Sequence, residues 1–88
     1  MAKPIILSGH ARVQCHHRHA DPAEVADAIR TSPWEPAKSG RYRVRKSMAF
    51  GKPSPVTGNL YRWRAVEAIF AEEAARLVVV TVIVKYWN

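Results

Sequence analysis

The chain has 88 residues, with 14 Lys and Arg against 7 Asp and Glu for a formal charge of +7, and it is 48% hydrophobic. That size supports one modest core and excludes a second domain, while the apolar content excludes a basic disordered tail. The lone Cys15 excludes an internal disulfide, and the apolar run Leu77 to Val84 is too short for a membrane-spanning helix, which needs roughly 20 residues.

The opening MAKPIILSG has no signal-peptide core, so a cytoplasmic home is expected, with no membrane partner. Ile5-Ile6-Leu7 reads as a short strand, and Ser8 as a cap for a helix from Gly9 to Arg18. In that helix Ala11 and Cys15 share an apolar face, while His10, Gln14 and Arg18 form a polar stripe suited to border a site. Asp21-Pro22-Ala23-Glu24 combines a capping side chain, a proline at the first helical position and a glutamate three residues beyond the cap. It predicts a second helix, carried by Val25, Ala28 and Ile29 and closed at Thr31-Ser32-Pro33.

Trp34 to Gly40 reads as a connection. Tyr42, Val44, Met48 and Phe50 then alternate with Arg41, Arg43 and Arg45, which predicts a strand with three arginines on one face. Lys46 falls on the apolar parity, so a bulge, a strand end or an exposed edge is expected near it. Gly51 to Asn59 reads as a long, mobile hairpin loop. From Leu60 to Arg76 two periods compete. Ala and Glu favour a helix, whereas Tyr61, Trp63 and Ala65 alternate with Arg62 and Arg64 as in a strand. Leu77 to Trp87 reads as a central strand covered on both sides.

Lys38, Arg41, Arg43, Arg45, Lys46, Lys52, Arg62 and Arg64 stand in one stretch without a single Asp or Glu. Such a field attracts phosphate or acidic protein surface, and aromatic rings among the cations stack on bases. The expected partner is RNA or another polyanion.

The segment HARVQCHHRHADPAEVADAI, through His10-Ala11, Arg18, Asp21 to Glu24, Val25 and Ile29, resembles the opening of a small bacterial domain family. The terminal VVVTVIV, with Thr81, resembles its last strand. Members of that family usually carry a second arginine where this chain has Gln14, and often a glycine where it has His19. The family is similar to RelE/ParE-type toxins. The resemblance implies an α+β fold with two N-terminal helices packed on a small antiparallel sheet, and a strand, turn and strand over residues 62 to 84. It also implies a basic toxin-like protein with an acidic antitoxin-like partner and, in the RelE branch, RNA cleavage without a metal, whereas ParE-type members act on gyrase.

Metal-free cleavage needs a base, an acid and cations on the phosphorane. The candidates are His10 as base or acid, Arg18, Arg41, Arg43 and Lys46 as phosphate cations, and Tyr42 or Tyr61 as their partner. Arg41, Arg45, Lys52, Arg62, Trp63 and Arg64 are candidates for binding the strand. The alternative is a non-catalytic module that docks a basic sheet on an acidic protein or nucleic acid, in the manner of an inhibitor or regulator carried by a mobile element. Cys15, His16, His17 and His19 suggest a metal by residue type, but successive helical positions diverge by about 100°. No metal or other cofactor is therefore assigned. Cys15, on the apolar stripe, is a poor nucleophile.

Overall fold

Short side chains start both helices in the computed structural model, which describes residues 3–88. The elements are β1 (Ile5–Leu7), α1 (Gly9–Arg18), α2 (Pro22–Thr31), β2 (Glu35–Pro36), β3 (Tyr42–Pro53), β4 (Leu60–Glu72) and β5 (Leu77–Trp87). Ser8 Oγ accepts from the Ala11 amide at 3.1 Å and caps α1. α1 ends at His19, whose φ of 54° is left-handed. Ahead of α2, Asp21 accepts from the Ala23 amide at 2.8 Å and Glu24 accepts from the Asp21 amide at 3.0 Å. This reciprocal arrangement satisfies donors that the helix itself cannot.

The sheet order is β1-β5-β4-β3-β2. β2, β3, β4 and β5 pair antiparallel, but β1 runs parallel to β5, with Ile5 opposite Leu77. The fold is α+β as expected, and the sheet is mixed rather than wholly antiparallel. β1 joins it through the Leu77 amide on the Pro4 carbonyl and the Ser8 amide on the Val79 carbonyl, both 2.9 Å.

α1 lies against β5 and α2 against β4 and β3, so both helices cover the same face. Ala11, Cys15, Val25, Ala28 and Ile29 meet Val44, Val66, Ala68, Phe70, Val79 and Val82 in one buried cluster. Each fully buried Val, Ile or Phe there contributes about 1.5–3 kcal/mol. Among the described residues no helix is long and apolar enough to cross a membrane.

The segment with competing periods is a strand to Glu72, followed by a turn closed by the Glu73 amide on the Arg76 carbonyl at 2.8 Å. Its alanines reflect steric demand: Ala68 packs in the helix-facing core, and Ala65 lies under long side chains on the other face. Two expectations are corrected, and a third is narrowed. The β3–β4 loop is shorter than Gly51 to Asn59, because β3 runs to Pro53 and Ser54 ties the turn, bonding through its amide to the Asn59 carbonyl and through its hydroxyl to the Val56 amide. Of the alternatives expected near Lys46, it is the exposed edge that occurs, since β2 pairs with β3 only at Tyr42 and Arg43, and the register shift comes later, between Ala49 and Lys52. β5 is covered by helices on one face only, and its opposite face is half-buried.

Candidate nucleic-acid interface

Strand alternation places Val44, Lys46 and Met48 toward the helices and Arg43, Arg45 and Ser47 away from them. Across the sheet, Arg43 aligns with Ile69 and Thr81, Arg45 with Glu67 and Ile83, and Ala49 with Trp63 and Trp87. These rows form a helix-free face that mixes arginines with indoles.

Its centre is held by a contact that spans three strands. The Arg45 guanidinium lies 5.3 Å from the Trp87 ring centroid. Ala65, on the strand between them, is 0% exposed although no helix covers it. A methyl at this position leaves room for the arginine to cross, and a guanidinium over an indole at an exposed site gains about 0.5–1 kcal/mol. Trp63, in the same row as Trp87, is 44% exposed. Glu67 is buried beside them, with its Oε2 2.9 Å from Lys85 Nζ but out of line for a hydrogen bond.

Ion pairing leaves the charge unevenly distributed. Lys3, Lys46, Arg64, Arg76 and Lys85 pair with Glu72, Asp27, Glu24, Glu73 and Glu67 respectively. Arg12, Arg18 and Arg30 donate to backbone carbonyls. Among the described residues the cations left without such partners are Lys38, Arg41, Arg43, Arg45, Lys52 and Arg62, all between β2 and the start of β4. Glu35 stands opposite Arg43 in the β2–β3 register without forming an ion pair.

The residues expected to bind a strand divide between the faces. Arg45 and Trp63 share the helix-free face with Arg43, and Arg41 lies just before β3. Arg62 is exposed, and its amide donates to Asn88 Oδ1 at 3.1 Å. Lys52 reaches over the Phe50 ring at 5.5 Å. Arg64 faces the helices and is 5% exposed, binding both Glu24 oxygens and the His19 carbonyl. Burial opposes its charge, but hydrogen bonding to Glu24, with the Tyr86 hydroxyl alongside, more than compensates and moves its pKa up. Arg64 is therefore committed to holding the helices on the sheet.

The catalytic candidates are not gathered into one pocket. The sheet separates Arg43 from Tyr42 and Lys46. Tyr42 packs against Trp34 and Phe70, at 5.4 and 6.0 Å between ring centroids, and those two rings meet each other at 4.8 Å. Lys46 reaches Asp27 and Thr31 on α2. Arg18 donates to the Val82 carbonyl at 2.6 Å and Gln14 Oε1 accepts from the Val82 amide at 2.8 Å, so this polar stripe completes the β5 edge beyond the end of β1. His10 is exposed in the first turn of α1.

Cys15 is buried, and desolvation, with Asp21 and Glu24 nearby, raises its thiol pKa, the opposite of what a nucleophile requires. Among the described residues no three His, Cys, Asp or Glu side chains converge as metal ligands. Sequence reasoning named neither Lys85 nor Trp87 as a site residue. The usable sign was their shared parity with Thr81 and Ile83, which places all four on the face opposite Val82. Compared with known proteins, the chain matches no family model, no curated protein and no solved structure.

Proposed function

We propose that this protein binds single-stranded RNA on the helix-free face of its sheet. The observation that carries the reading is the Arg45–Trp87 stack beside the exposed Trp63, on a face whose arginines Arg43 and Arg45 are free of ion pairs. Bases stack on indole and on the outer plane of a guanidinium, at about 1–3 kcal/mol per base, and arginines engage the phosphates between them. The dispersal of His10, Arg18, Tyr42 and Lys46 favours binding over cleavage. The resemblance to RelE/ParE-type toxins supports the same class of partner.

The test is a titration of a labelled single-stranded RNA across a salt series. Three or four phosphate contacts give a slope of log affinity against log salt of about −2 to −3. Trp63→Ala weakens binding about tenfold, and Arg45→Gln weakens it and flattens the slope. Absence of retention at low salt, or full affinity in Trp63→Ala, overturns the proposal.

A second reading rests on a different feature. β2 pairs with β3 only at Tyr42 and Arg43, so the β3 edge beyond them has no neighbouring strand. An acidic extended segment of a protein partner suits that edge, with backbone bonds to β3 and carboxylates on its cations. Co-purification with an acidic protein, combined with no affinity for RNA, would select it.

A further inference from the structure

The helix-free face has a small cleft at the β2 end that the stacking platform does not use. Lys38, Ser39, Arg41 and Arg43 line it with Ile69 and Thr81, around a space of about 190 Å³. A tight turn holds the cations there, with the Ala37 amide on the Arg41 carbonyl at 2.8 Å and the Arg41 amide on the Lys38 carbonyl at 3.3 Å. Within it Ser39 and Gly40 both have positive φ, 62° and 69°. A serine in that conformation is uncommon, and the turn places Lys38 and Arg41 on either side of it.

None of the three cations has a carboxylate within ion-pair distance among the described residues. Three positive charges around one small space exceed what an internal phosphodiester, with its single negative charge, neutralises. A phosphate monoester carries close to two negative charges at neutral pH and three free oxygens, and arginine binds such oxygens in a planar fork. The turn also walls the cleft on one side, as suits the end of a strand better than its middle. Ile69 and Trp63 lie on the same face of β4, six residues and so about 20 Å apart. A chain held in the cleft therefore runs over Arg45 to the indoles.

We propose that the cleft of Lys38, Arg41 and Arg43 seats the terminal phosphate monoester of the bound RNA, so that the protein recognises strand ends. This rests on the RNA-binding reading above. The experiment compares one internally labelled octanucleotide RNA in three forms, with hydroxyl ends, a 5′-phosphate or a 3′-phosphate, against the native protein, Arg45→Gln and the double variant Lys38→Gln/Arg41→Gln. One phosphorylated form is expected to bind the native protein at least about fivefold more tightly than the hydroxyl form, and which form does so identifies the end.

That ratio falls to near one in the double variant and persists in Arg45→Gln, although Arg45→Gln binds every form more weakly. Equal affinity for all three forms overturns the end site and leaves RNA binding standing. A preference that survives in the double variant reflects general attraction to added charge and likewise overturns it. If no form binds the native protein, the RNA-binding reading itself fails.

Discussion

Glu24 and Arg64 are bound to each other, yet removing them should have unequal effects, because only one partner is deeply buried. The Arg64 side chain is 6% exposed and that of Glu24 33%. Glu24→Ala strands a buried guanidinium with the His19 carbonyl as its remaining strong acceptor, and also removes the acceptor for the Asp21 amide. Breaking a buried pair from one side costs about 3–5 kcal/mol; water reaching Glu24's exposed side lowers this, and the lost helix cap adds to it, for an expected total of about 3 kcal/mol.

Arg64→Met instead removes the buried charge, keeps an apolar stem of similar length and lets Glu24 rehydrate. Its expected cost is below about 1 kcal/mol. In the Arg64→Met background, Glu24→Ala should cost only the cap, about 1 kcal/mol, so the coupling is about 2 kcal/mol. Urea denaturation of the four proteins measures all three quantities. Equal or reversed costs for the single variants, or additive costs in the double variant, would refute the assignment of Arg64 as a buried charge dependent on Glu24.

Gln14→Ala should orphan the Val82 amide at a cost of about 1 kcal/mol, and hydrogen exchange at that amide should accelerate more than at Val66 or Val79; a uniform change along the sheet would contradict the edge role. Phe70, 0% exposed, should cost about 3–5 kcal/mol when cut to alanine, a large part of the stability of so small a domain, and a calorimetric Tm unchanged by Phe70→Ala would disprove its place in the core. Cys15 should react with a thiol reagent only as fast as the protein unfolds. Because burial raises its pKa above the ordinary 9.0, its contribution to stability is fully present below pH 9.0 and is lost as pH rises toward the folded-state pKa. In Cys15→Ala, stability should therefore fall less steeply above that pH, and identical alkaline slopes in the two proteins would refute this.

Both helices were legible because their start signals are local. Asp21, Pro22 and Glu24 act within one turn, and Ser8 caps α1 without help from the rest of the chain. β4 was not legible from its own residues. Ala65 is small because Arg45 crosses it to reach Trp87, Glu67 is buried with its carboxylate beside Lys85, and both partners arrive from other strands. Local propensity therefore favours a helix where tertiary contacts require a strand, and resemblance alone had pointed to the hairpin. The basic stretch was visible as a concentration of charge, but charge counting cannot tell Arg64, which grips Glu24, from Arg43, which faces away from the helices. The roles of Gln14 and Arg18 were hidden for the same reason, since both depend on β1 stopping at Leu7 and leaving the edge of Val82 opposite β4 without a paired strand.

The parallel pairing of β1 with β5 has a kinetic consequence. Ile5 meets Leu77 across almost the whole chain, whereas β3, β4 and β5 follow one another through short turns. Closing the long loop costs more entropy than closing either hairpin, so the three-stranded meander is expected to assemble first and β1 to dock last. During synthesis both helices are made before β3, β4 and β5, the strands that carry most of the surface they cover. Until β5 is complete, Ala11 and Cys15 lack the surface they pack against, and the nascent chain carries two half-finished amphipathic helices whose apolar sides are open to other proteins.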